Sequence, residues 1–270
     1  MSIWQSIVMG IIQGLTEFLP ISSSGHLVII PHLLGWQFPE QQTFVFDVLV
    51  QWGTLLAVIL FYWSDLWRIV VSFVQALIAR KPFGNPDARM GWYLILATIP
   101  AVLLGLLFKD TVAVAFTSVR ATAGFLLLTA LILVVAELAG KRHRSFEEIG
   151  WKDALWIGAA QVISLLPGVS RSGSTMAGAM TRDLDRPAAA RFSFLMSIPV
   201  MLGAGVLAMK DLVGMADLSA VLPPLLVGFV TAFIFGYVAI RWLIGYLTRH
   251  SLYAFAAYCT VVGLLVLVIG

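Results

Sequence analysis

Runs of roughly 17–20 consecutive apolar residues recur along this chain, and they constrain its fold more than any other feature. A helix of that length crosses the roughly 30 Å hydrocarbon layer of a bilayer. Hydrophobic residues make up 60% of the 270 residues and charged residues only 11%, whereas soluble domains carry about 25% charged residues. The sequence therefore predicts an all-α integral membrane protein, and the net charge of +3 gives no reason to expect a nucleic-acid partner.

About six segments are long enough to be transmembrane helices: Phe44–Trp63, Trp92–Phe108, Arg120–Glu137, Phe192–Met209, Leu222–Leu243 and Leu252–Ile269. The segment Leu66–Ala79 is apolar but short, so it either extends the first span or lies at the interface. Basic residues concentrate in two loops, around Arg80–Arg89 and Lys141–Lys152, and two spans separate these loops. Both loops are therefore predicted to face the cytoplasm.

Two further apolar regions, Ile3–Leu34 and Asp153–Met180, are interrupted near the middle by proline, glycine and serine. Each half is too short to cross a bilayer comfortably. Irregular backbone at membrane depth is tolerated only inside protein or beside a water-filled cavity. The two regions are therefore predicted to be re-entrant helix hairpins whose tips lie within the protein.

The two hairpins are related in sequence. A shift of 148 residues places Gly10 on Gly158, Gln13 on Gln161, and the S-x-S-G motif of residues 22–25 on that of residues 170–173. Three predicted spans lie between the copies, and an odd number inverts the second copy. We interpret residues 1–270 as a single membrane domain with an inverted-topology repeat: repeat 1 over about 1–120 with hairpin 3–34, and repeat 2 over about 121–270 with hairpin 153–180. The alternative is a chance similarity between two Gly/Ser-rich turns.

The second hairpin carries the sequence P-G-V-S-R-S-G-S-T at residues 167–175. Arg171 would be costly in a membrane without a function, and its planar guanidinium fits two phosphate oxygens at once. Glycines allow close backbone approach, and N–H groups at a turn entering a helix bind anions. The motif therefore predicts a phosphate site, whereas the alternative is a structural helix break with a snorkelling arginine.

The first hairpin contributes Gln13 and Glu17, four residues apart on one helix face. A carboxylate inside an apolar segment needs a partner. Glu17 with Gln13 as a neutral oxygen ligand suits a hard divalent cation such as Mg²⁺ or Ca²⁺, which would also neutralise a pyrophosphate. The alternative is a structural ion pair between Glu17 and Arg171.

Three serines and His26 follow at this tip, in the sequence S-S-S-G-H of residues 22–26. A serine can act as a nucleophile when a nearby base activates it, and histidine can be that base. The shift of 148 places Ser23 on Arg171, so one copy would supply the nucleophile and the other the charge clamp. Asp47 and Gln51 share one face of the first span and either line the cavity or support its residues.

Taken together, Q-G-L-T-E, P-I-S-S-S-G-H and P-G-V-S-R-S-G-S-T resemble the motifs of the bacterial undecaprenyl pyrophosphate phosphatases, the bacitracin-resistance family. The resemblance covers nearly the whole chain. It implies removal of the terminal phosphate of undecaprenyl pyrophosphate, which recycles the lipid carrier of peptidoglycan synthesis. It also implies bacitracin resistance, dependence on a divalent cation, and a location in the inner membrane with the active site open to the periplasm.

Carried over by motif position, the resemblance implies a catalytic set and a set of substrate-binding residues. The catalytic set is Glu17, Ser23, His26 and Arg171, and the substrate-binding set is Gln13, Ser22, Ser24, Gly168, Ser170, Ser172, Gly173 and Thr175. Some members of the family have glutamate at the position of Gln13, which weakens the prediction that Gln13 is a metal ligand beside Glu17. The resemblance does not decide between Ser23 and His26 as the nucleophile.

A second hypothesis is a transporter or flippase that binds a lipid phosphate in the same pocket without hydrolysing it, because inverted repeats with broken helices are also a transporter pattern. A carrier needs the arginine clamp but not a nucleophile with its base. The type-2 phosphatidic acid phosphatases share only the local S-G-H sequence. The predicted partners are the polyprenyl pyrophosphate and the membrane lipids, and a homodimer is one candidate for the oligomeric state.

Overall fold

The computed structural model describes residues 1–108, 118–213 and 218–269, and this part of the chain is helical without a β-strand. Two short 3₁₀ turns, Phe146–Glu148 and Ile163–Leu165, accompany the α-helices. The helices are α1 (Ile3–Phe18), α2 (Ser23–Leu33), α3 (Glu40–Phe61), α4 (Trp63–Ile78), α5 (Pro86–Leu107), α6 (Val119–Ala139), α7 (Trp151–Val162), α8 (Arg171–Met180), α9 (Arg186–Val213), α10 (Leu218–Leu247) and α11 (Tyr253–Ile269).

Among the described residues, four helical segments are long and apolar enough to cross a membrane: Gln42–Phe61, Pro86–Leu107, Val119–Ala139 and Leu222–Leu247. The chain is therefore a multi-pass membrane protein, and four of the predicted spans coincide with these segments. The predicted span Phe192–Met209 falls inside α9, and the predicted span Leu252–Ile269 corresponds to α11, an apolar helix of 17 residues. The short segment Leu66–Ala79 belongs to α4, a separate helix that begins directly after α3.

Both predicted hairpins are broken where the sequence indicates. The first changes direction between α1 and α2, and the second between α7 and α8. The same cap begins α2 and α8: the Ser22 hydroxyl accepts a hydrogen bond from the Gly25 N–H (3.2 Å), and the Ser170 hydroxyl accepts one from the Gly173 N–H (3.0 Å). Such capping satisfies N–H groups that have no partner within a helix. The repeated S-x-S-G motif thus builds the same local structure twice.

Glycines allow the long helices to pack closely around these tips. A methyl group placed on Gly10 of α1 would lie 2.7 Å from the carbonyl oxygen of Gly228 in α10. A methyl group on Gly158 of α7 would lie 2.4 Å from the carbonyl oxygen of Ala97 in α5. The helix pairs α1–α10 and α7–α5 are therefore in backbone contact, while α9 packs against α3, α5 and α8. The short helices α2 and α8 both contact α6, which brings them together.

An ion-pair cluster holds the start of α7 against the end of α8. The Asp153 carboxylate lies 2.7 Å from an Arg144 guanidinium nitrogen and 2.8 Å from an Arg182 nitrogen, and it also accepts from the Gly150 N–H. Burial opposes the ionised form of this carboxyl, but the hydrogen bonds from Arg144, Gly150 and Arg182 outweigh it and lower the pKa of Asp153 to about 2. The cluster fixes the second hairpin at the end opposite its tip.

Candidate active site

The tips of the two hairpins touch, as the sequence predicts. A methyl group on Gly25 at the start of α2 would lie 3.1 Å from the Cα of Gly168 in the opposite turn. A methyl group on Gly173 at the start of α8 would lie 3.4 Å from the Cβ of Pro20 in the first turn. Each helix start therefore rests on the turn of the other hairpin. We call this contact between the two tips, formed by Gly25 with Gly168 and by Gly173 with Pro20, the seam. Two helix N-termini, each with a partial positive charge, meet there.

Glu17 lies at the centre of the contact between the tips. Its carboxylate accepts a hydrogen bond from the Gln13 side-chain amide (2.8 Å) and one from the Ser23 hydroxyl (2.5 Å). It also forms an ion pair with Arg171 of the other hairpin. The structure thus joins three residues of the predicted catalytic set, Glu17, Ser23 and Arg171. The ion pair considered as the structural alternative for Glu17 is present as well.

Arg171 uses only part of its guanidinium for this ion pair. Nη2 faces Glu17 and lies 3.6 Å from the Met201 sulfur, while Nη1 is buried with no hydrogen-bond partner among the described residues. A buried donor without a partner costs free energy unless a ligand satisfies it. The free nitrogen is therefore placed to receive an anion. The cost of burying Arg171 is offset by Glu17 rather than by snorkelling to an interface.

Ser22, which caps α2, has a left-handed backbone with φ of 70°. Its hydroxyl lies 3.3 Å from that of Ser24, and the Ser170 and Ser172 hydroxyls make the corresponding contact at 3.1 Å. A non-glycine residue in the left-handed region is strained and persists only when its surroundings hold it. The strained turn directs Ser23 toward Glu17.

His26 supports this turn and does not reach the carboxylate. Its Nδ1 lies 2.7 Å from the Ser22 carbonyl oxygen, and its Nε2 lies 2.7 Å from the Tyr258 hydroxyl in α11. Because a carbonyl only accepts, the neutral imidazole carries its proton on Nδ1 and accepts from Tyr258 on Nε2. His26 is therefore placed to position the Ser22–Ser24 turn, and Ser23 is the hydroxyl beside a base.

The second turn is built by residues that the sequence assigned to substrate binding. Gly168 has a φ of 96°, which favours glycine, and its carbonyl accepts from the Thr129 hydroxyl (2.9 Å), which in turn accepts from the Ser170 N–H. The Thr175 hydroxyl lies 2.5 Å from that of Ser193 and donates into the backbone of α8. The turn is thus shaped by Gly168, Ser172, Gly173 and Thr175. None of these four residues lines the cavity described next.

A cavity of about 570 Å³ opens beside the seam. Its polar end is formed by Glu17, Ser22, Ser23, Ser24, Ser170 and Arg171. Its apolar wall comes from α5 and α9, with Ala101, Val102, Gly105, Leu106, Pro199 and Val200. Gln51 lines the cavity, as one alternative for that residue predicted, whereas Asp47 does not. The cavity is therefore polar where the tips meet and apolar where α5 and α9 pass.

Sequence reasoning did not assign roles to several residues that the structure places here. Tyr258 holds His26, Thr129 bridges the second turn, and Gln161 with Ser164 lines the cavity. The signal for Gln161 was present, because the shift of 148 residues places it on Gln13. Tyr258 and Thr129 lie far along the chain from the motifs, in α11 and α6, and nothing in the sequence marks them.

A divalent cation at the predicted ligands Glu17 and Gln13 is compatible with one feature of the site. The Gln13 side-chain oxygen is buried beside Glu17 and has no hydrogen-bond partner among the residues that the structure describes, so it suits a hard cation as a neutral ligand. Within the described ranges, no group of three or more His, Cys, Asp or Glu residues could hold a metal ion. The protein therefore supplies only part of a coordination sphere, and phosphate oxygens and water would have to supply the rest.

Comparison with known proteins fits this geometry. Residues 6–265 match the family described as bacitracin resistance protein BacA. The chain belongs to this family. Within the BacA family it is similar to a protein named undecaprenyl-diphosphatase from Chloroherpeton thalassium, with 43% identity over 99% of this chain and 96% of that protein. It is also 44% identical to a protein of that name from Chlorobium chlorochromatii (99% and 96% covered) and 42% identical to one from Chlorobaculum tepidum (100% and 98%).

Membership of the BacA family confirms the resemblance drawn from the two motifs. The relatives carry the name of a hydrolase, so the transporter hypothesis is not favoured. The match extends through both hairpins and the helices that surround the cavity.

Proposed function

We propose that this chain hydrolyses undecaprenyl pyrophosphate to undecaprenyl phosphate and inorganic phosphate, which returns the lipid carrier to peptidoglycan synthesis and confers bacitracin resistance. One observation carries the proposal: the Ser23 hydroxyl lies 2.5 Å from the Glu17 carboxylate, opposite Arg171, in a cavity with a polar end and an apolar wall. The polar end suits a pyrophosphate and the apolar wall suits a polyprenyl chain. The name shared by the relatives agrees with this substrate.

Ser23 is the nucleophile in this proposal. Its oxygen attacks the terminal phosphorus while Glu17 accepts the hydroxyl proton, so an O–P bond forms to serine. The bond from that phosphorus to the bridging oxygen breaks, and undecaprenyl phosphate leaves. The free Nη1 of Arg171 and the N–H groups at the starts of α2 and α8 stabilise the charge on the transferring phosphoryl group.

A water molecule then attacks the phosphoserine, and the bond from phosphorus to the Ser23 oxygen breaks. Glu17 returns the proton that it accepted to the Ser23 oxygen, and the protons of the water leave with the inorganic phosphate. His26 acts on this chemistry through the turn that it holds. Glu17 and the Gln13 side-chain oxygen would hold a divalent cation together with substrate oxygens. When bound, the cation would neutralise part of the pyrophosphate charge.

We propose further that the fold is an inverted repeat. Helices α2 and α8 begin 148 residues apart with the same serine cap, and each rests on the other hairpin's turn through Gly25 or Gly173. The contact of α1 with α10 resembles the contact of α7 with α5. The proposed boundary between the two repeats lies near residue 120, at the start of α6.

The proposed location is the bacterial inner membrane, with the cavity open to the periplasm. Two loops carry clusters of basic residues: the loop before α5, with Arg80 and Lys81, and the loop between α6 and α7, over Lys141–Lys152. These clusters support a cytoplasmic position for both loops. Cell-wall lipid carriers work in this membrane, so the substrate would reach the cavity laterally between α5 and α9. The re-entrant form of both hairpins belongs to the same proposal.

The test is phosphate release from undecaprenyl pyrophosphate by the purified protein in detergent, with Mg²⁺ or Ca²⁺ present. The wild type should release one phosphate per lipid. Arg171→Lys should lose most turnover, because the ammonium group of lysine cannot donate to two phosphate oxygens at once as the planar guanidinium does. Arg68→Lys, at an exposed ion pair with Asp87, is the matched control and should retain activity. Failure of the wild type to release phosphate with either cation, or near-normal rates in Arg171→Lys, would contradict the proposal.

A further inference from the structure

Gln161 stands out among the polar residues of the cavity because neither of its side-chain atoms has a hydrogen-bond partner within the described structure. The residue is only 2% exposed, and it lines the cavity near the end of α7. Burying an amide without partners is costly, so such a group commonly meets a ligand or an ordered water. Among the described residues that line the cavity, Arg171 is the other one with a buried atom that lacks a partner, and its Nη1 already belongs to the contact between the tips.

The divergence of the two hairpins explains why this amide is free. In the first hairpin, Gln13 donates its amide hydrogen to Glu17 one helical turn later. The shift of 148 residues places Gln161 on Gln13 but Leu165 on Glu17. The second hairpin thus keeps the glutamine and lacks the carboxylate that would engage it. The amide is left without a partner in the described structure, in a residue that lines the shared cavity.

Contacts with α5 place Gln161 beside the apolar wall. A methyl group on Gly158 would touch the Ala97 carbonyl, and one on Gly105 would lie 3.4 Å from a Leu165 methyl carbon. The Gly158–Ala97 contact precedes Gln161 in α7, and the Gly105–Leu165 contact follows it in the 3₁₀ turn. Gln161 therefore lies in the stretch that packs against α5, and it lines the same cavity as Ala101 and Gly105 of that helix.

We propose that Gln161 is a binding and specificity residue for the phosphate that remains on the lipid, while Ser23, Glu17 and Arg171 engage the phosphate that is removed. The inference rests on the proposed hydrolysis and refines it. In this arrangement the terminal phosphate lies at the seam, the retained phosphate at Gln161, and the polyprenyl chain along the cavity-lining residues of α5 and α9. The amide N–H donates to a phosphate oxygen, and the amide oxygen accepts from a protonated phosphate or its water.

The proposal is tested by Gln161→Met, which keeps the length of the side chain and removes both polar atoms. Gln75→Met on the exposed face of α4 is the matched control. The assays are steady-state hydrolysis of undecaprenyl pyrophosphate, direct binding of undecaprenyl phosphate, and inhibition by inorganic phosphate. Thermal unfolding in the same detergent checks that the variants fold.

Undecaprenyl phosphate should bind Gln161→Met about tenfold more weakly, the scale of losing one hydrogen bond to a charged oxygen, and KM should rise similarly. Inhibition by inorganic phosphate should be unchanged, and the unfolding midpoint should be equal or higher because two unpaired buried atoms are removed. Gln75→Met should match the wild type throughout. If Gln161 serves only the packing of α7, its substitution would instead lower the unfolding midpoint. Binding of undecaprenyl phosphate would then not weaken relative to inhibition by inorganic phosphate.

Weaker inhibition by inorganic phosphate with unchanged lipid-phosphate binding would overturn the proposal, because Gln161 would then hold the terminal phosphate. Unchanged binding of both ligands would overturn it as well. If Gln161→Met fails to fold, Gln161→Asn takes its place: the shorter side chain withdraws the amide, so undecaprenyl phosphate should again bind more weakly with inhibition by inorganic phosphate unchanged, but no rise of the unfolding midpoint is expected. A wild type that binds undecaprenyl phosphate through Gln161 but releases no phosphate would refute the proposed hydrolysis and leave this subsite standing.

Discussion

Replacing Glu17 with glutamine would remove the charge from a carboxylate that accepts hydrogen bonds from Gln13, Ser23 and Arg171. The shape of the side chain is conserved, so the variant tests the charge. Arg171 would then lie within the protein without its anion. The same substitution also removes the proposed base, which would take the proton of Ser23. Stability and turnover should both fall, for separate physical reasons.

The two losses differ in size. Breaking a buried ion pair by removing one partner costs about 3–5 kcal/mol. The Glu17 side chain is 7% exposed and that of Arg171 is 18% exposed, so we expect a cost of about 3 kcal/mol, near the lower end of that range. Loss of a general base lowers the rate by about 10²–10⁴-fold. The loss of activity should therefore exceed what partial unfolding produces.

The double variant Glu17→Gln/Arg171→Met separates the two effects. Removing both charges eliminates the unpaired arginine, so thermal unfolding in detergent should return close to the wild-type midpoint. Phosphate release from undecaprenyl pyrophosphate should remain as low as in the single variant. Recovery of turnover together with stability would refute the reasoning and show that Glu17 and Arg171 form a structural pair only.

Three further outcomes follow from the same geometry. Ser23→Ala should abolish phosphate release, and quenched wild-type enzyme should contain a phosphoserine at this position; full activity in Ser23→Ala would eliminate it as the nucleophile. Asp153 has a pKa lowered to about 2, so its stabilising effect is complete at neutral pH and is lost as the pH falls from about 4 toward 2. Asp153→Asn should therefore unfold more easily at neutral pH and show a flatter acid dependence, whereas Glu147→Gln, with an exposed side chain, should change neither. Gly25→Ala should lower activity and the unfolding midpoint because its methyl group presses on the other hairpin, whereas Gly124→Ala, with open space around it, should not; equal behaviour of the two would contradict the tight contact of the tips.

The local chemistry of the tips could be read from the sequence because it depends on near neighbours. Proline, glycine and serine break both hairpins where α1 and α7 end, and the S-x-S-G motif supplies the caps of α2 and α8. Repetition of this motif also indicated that the tips belong together. The meeting of Glu17 and Arg171 followed from the cost of leaving either charge alone in an apolar segment.

The remaining features depend on which helix faces meet, and the sequence does not determine that in advance. The hydroxyl of Tyr258 bonds His26 from a helix 232 residues away in the chain, and no local pattern around His26 indicates that partner. The sequence does not pair Arg144 and Arg182 with Asp153, yet both guanidinium groups contact its buried carboxylate. Gln161 became informative only when its lack of partners and its place beside α5 were known.

The seam between the hairpins also has a consequence for biosynthesis. Arg171 follows Glu17 by 154 residues in the chain. The ribosome therefore synthesises Glu17 and Ser23, the proposed nucleophile, long before the arginine that faces them. Under the proposed mechanism, a nascent chain that has inserted only its first helices holds Ser23 and Glu17 but not Arg171, and would therefore be inert toward the lipid carrier. Activity would then begin only when the turn of the second hairpin packs against the turn of the first. Measured phosphate release would therefore indicate that the chain has finished folding in the bilayer.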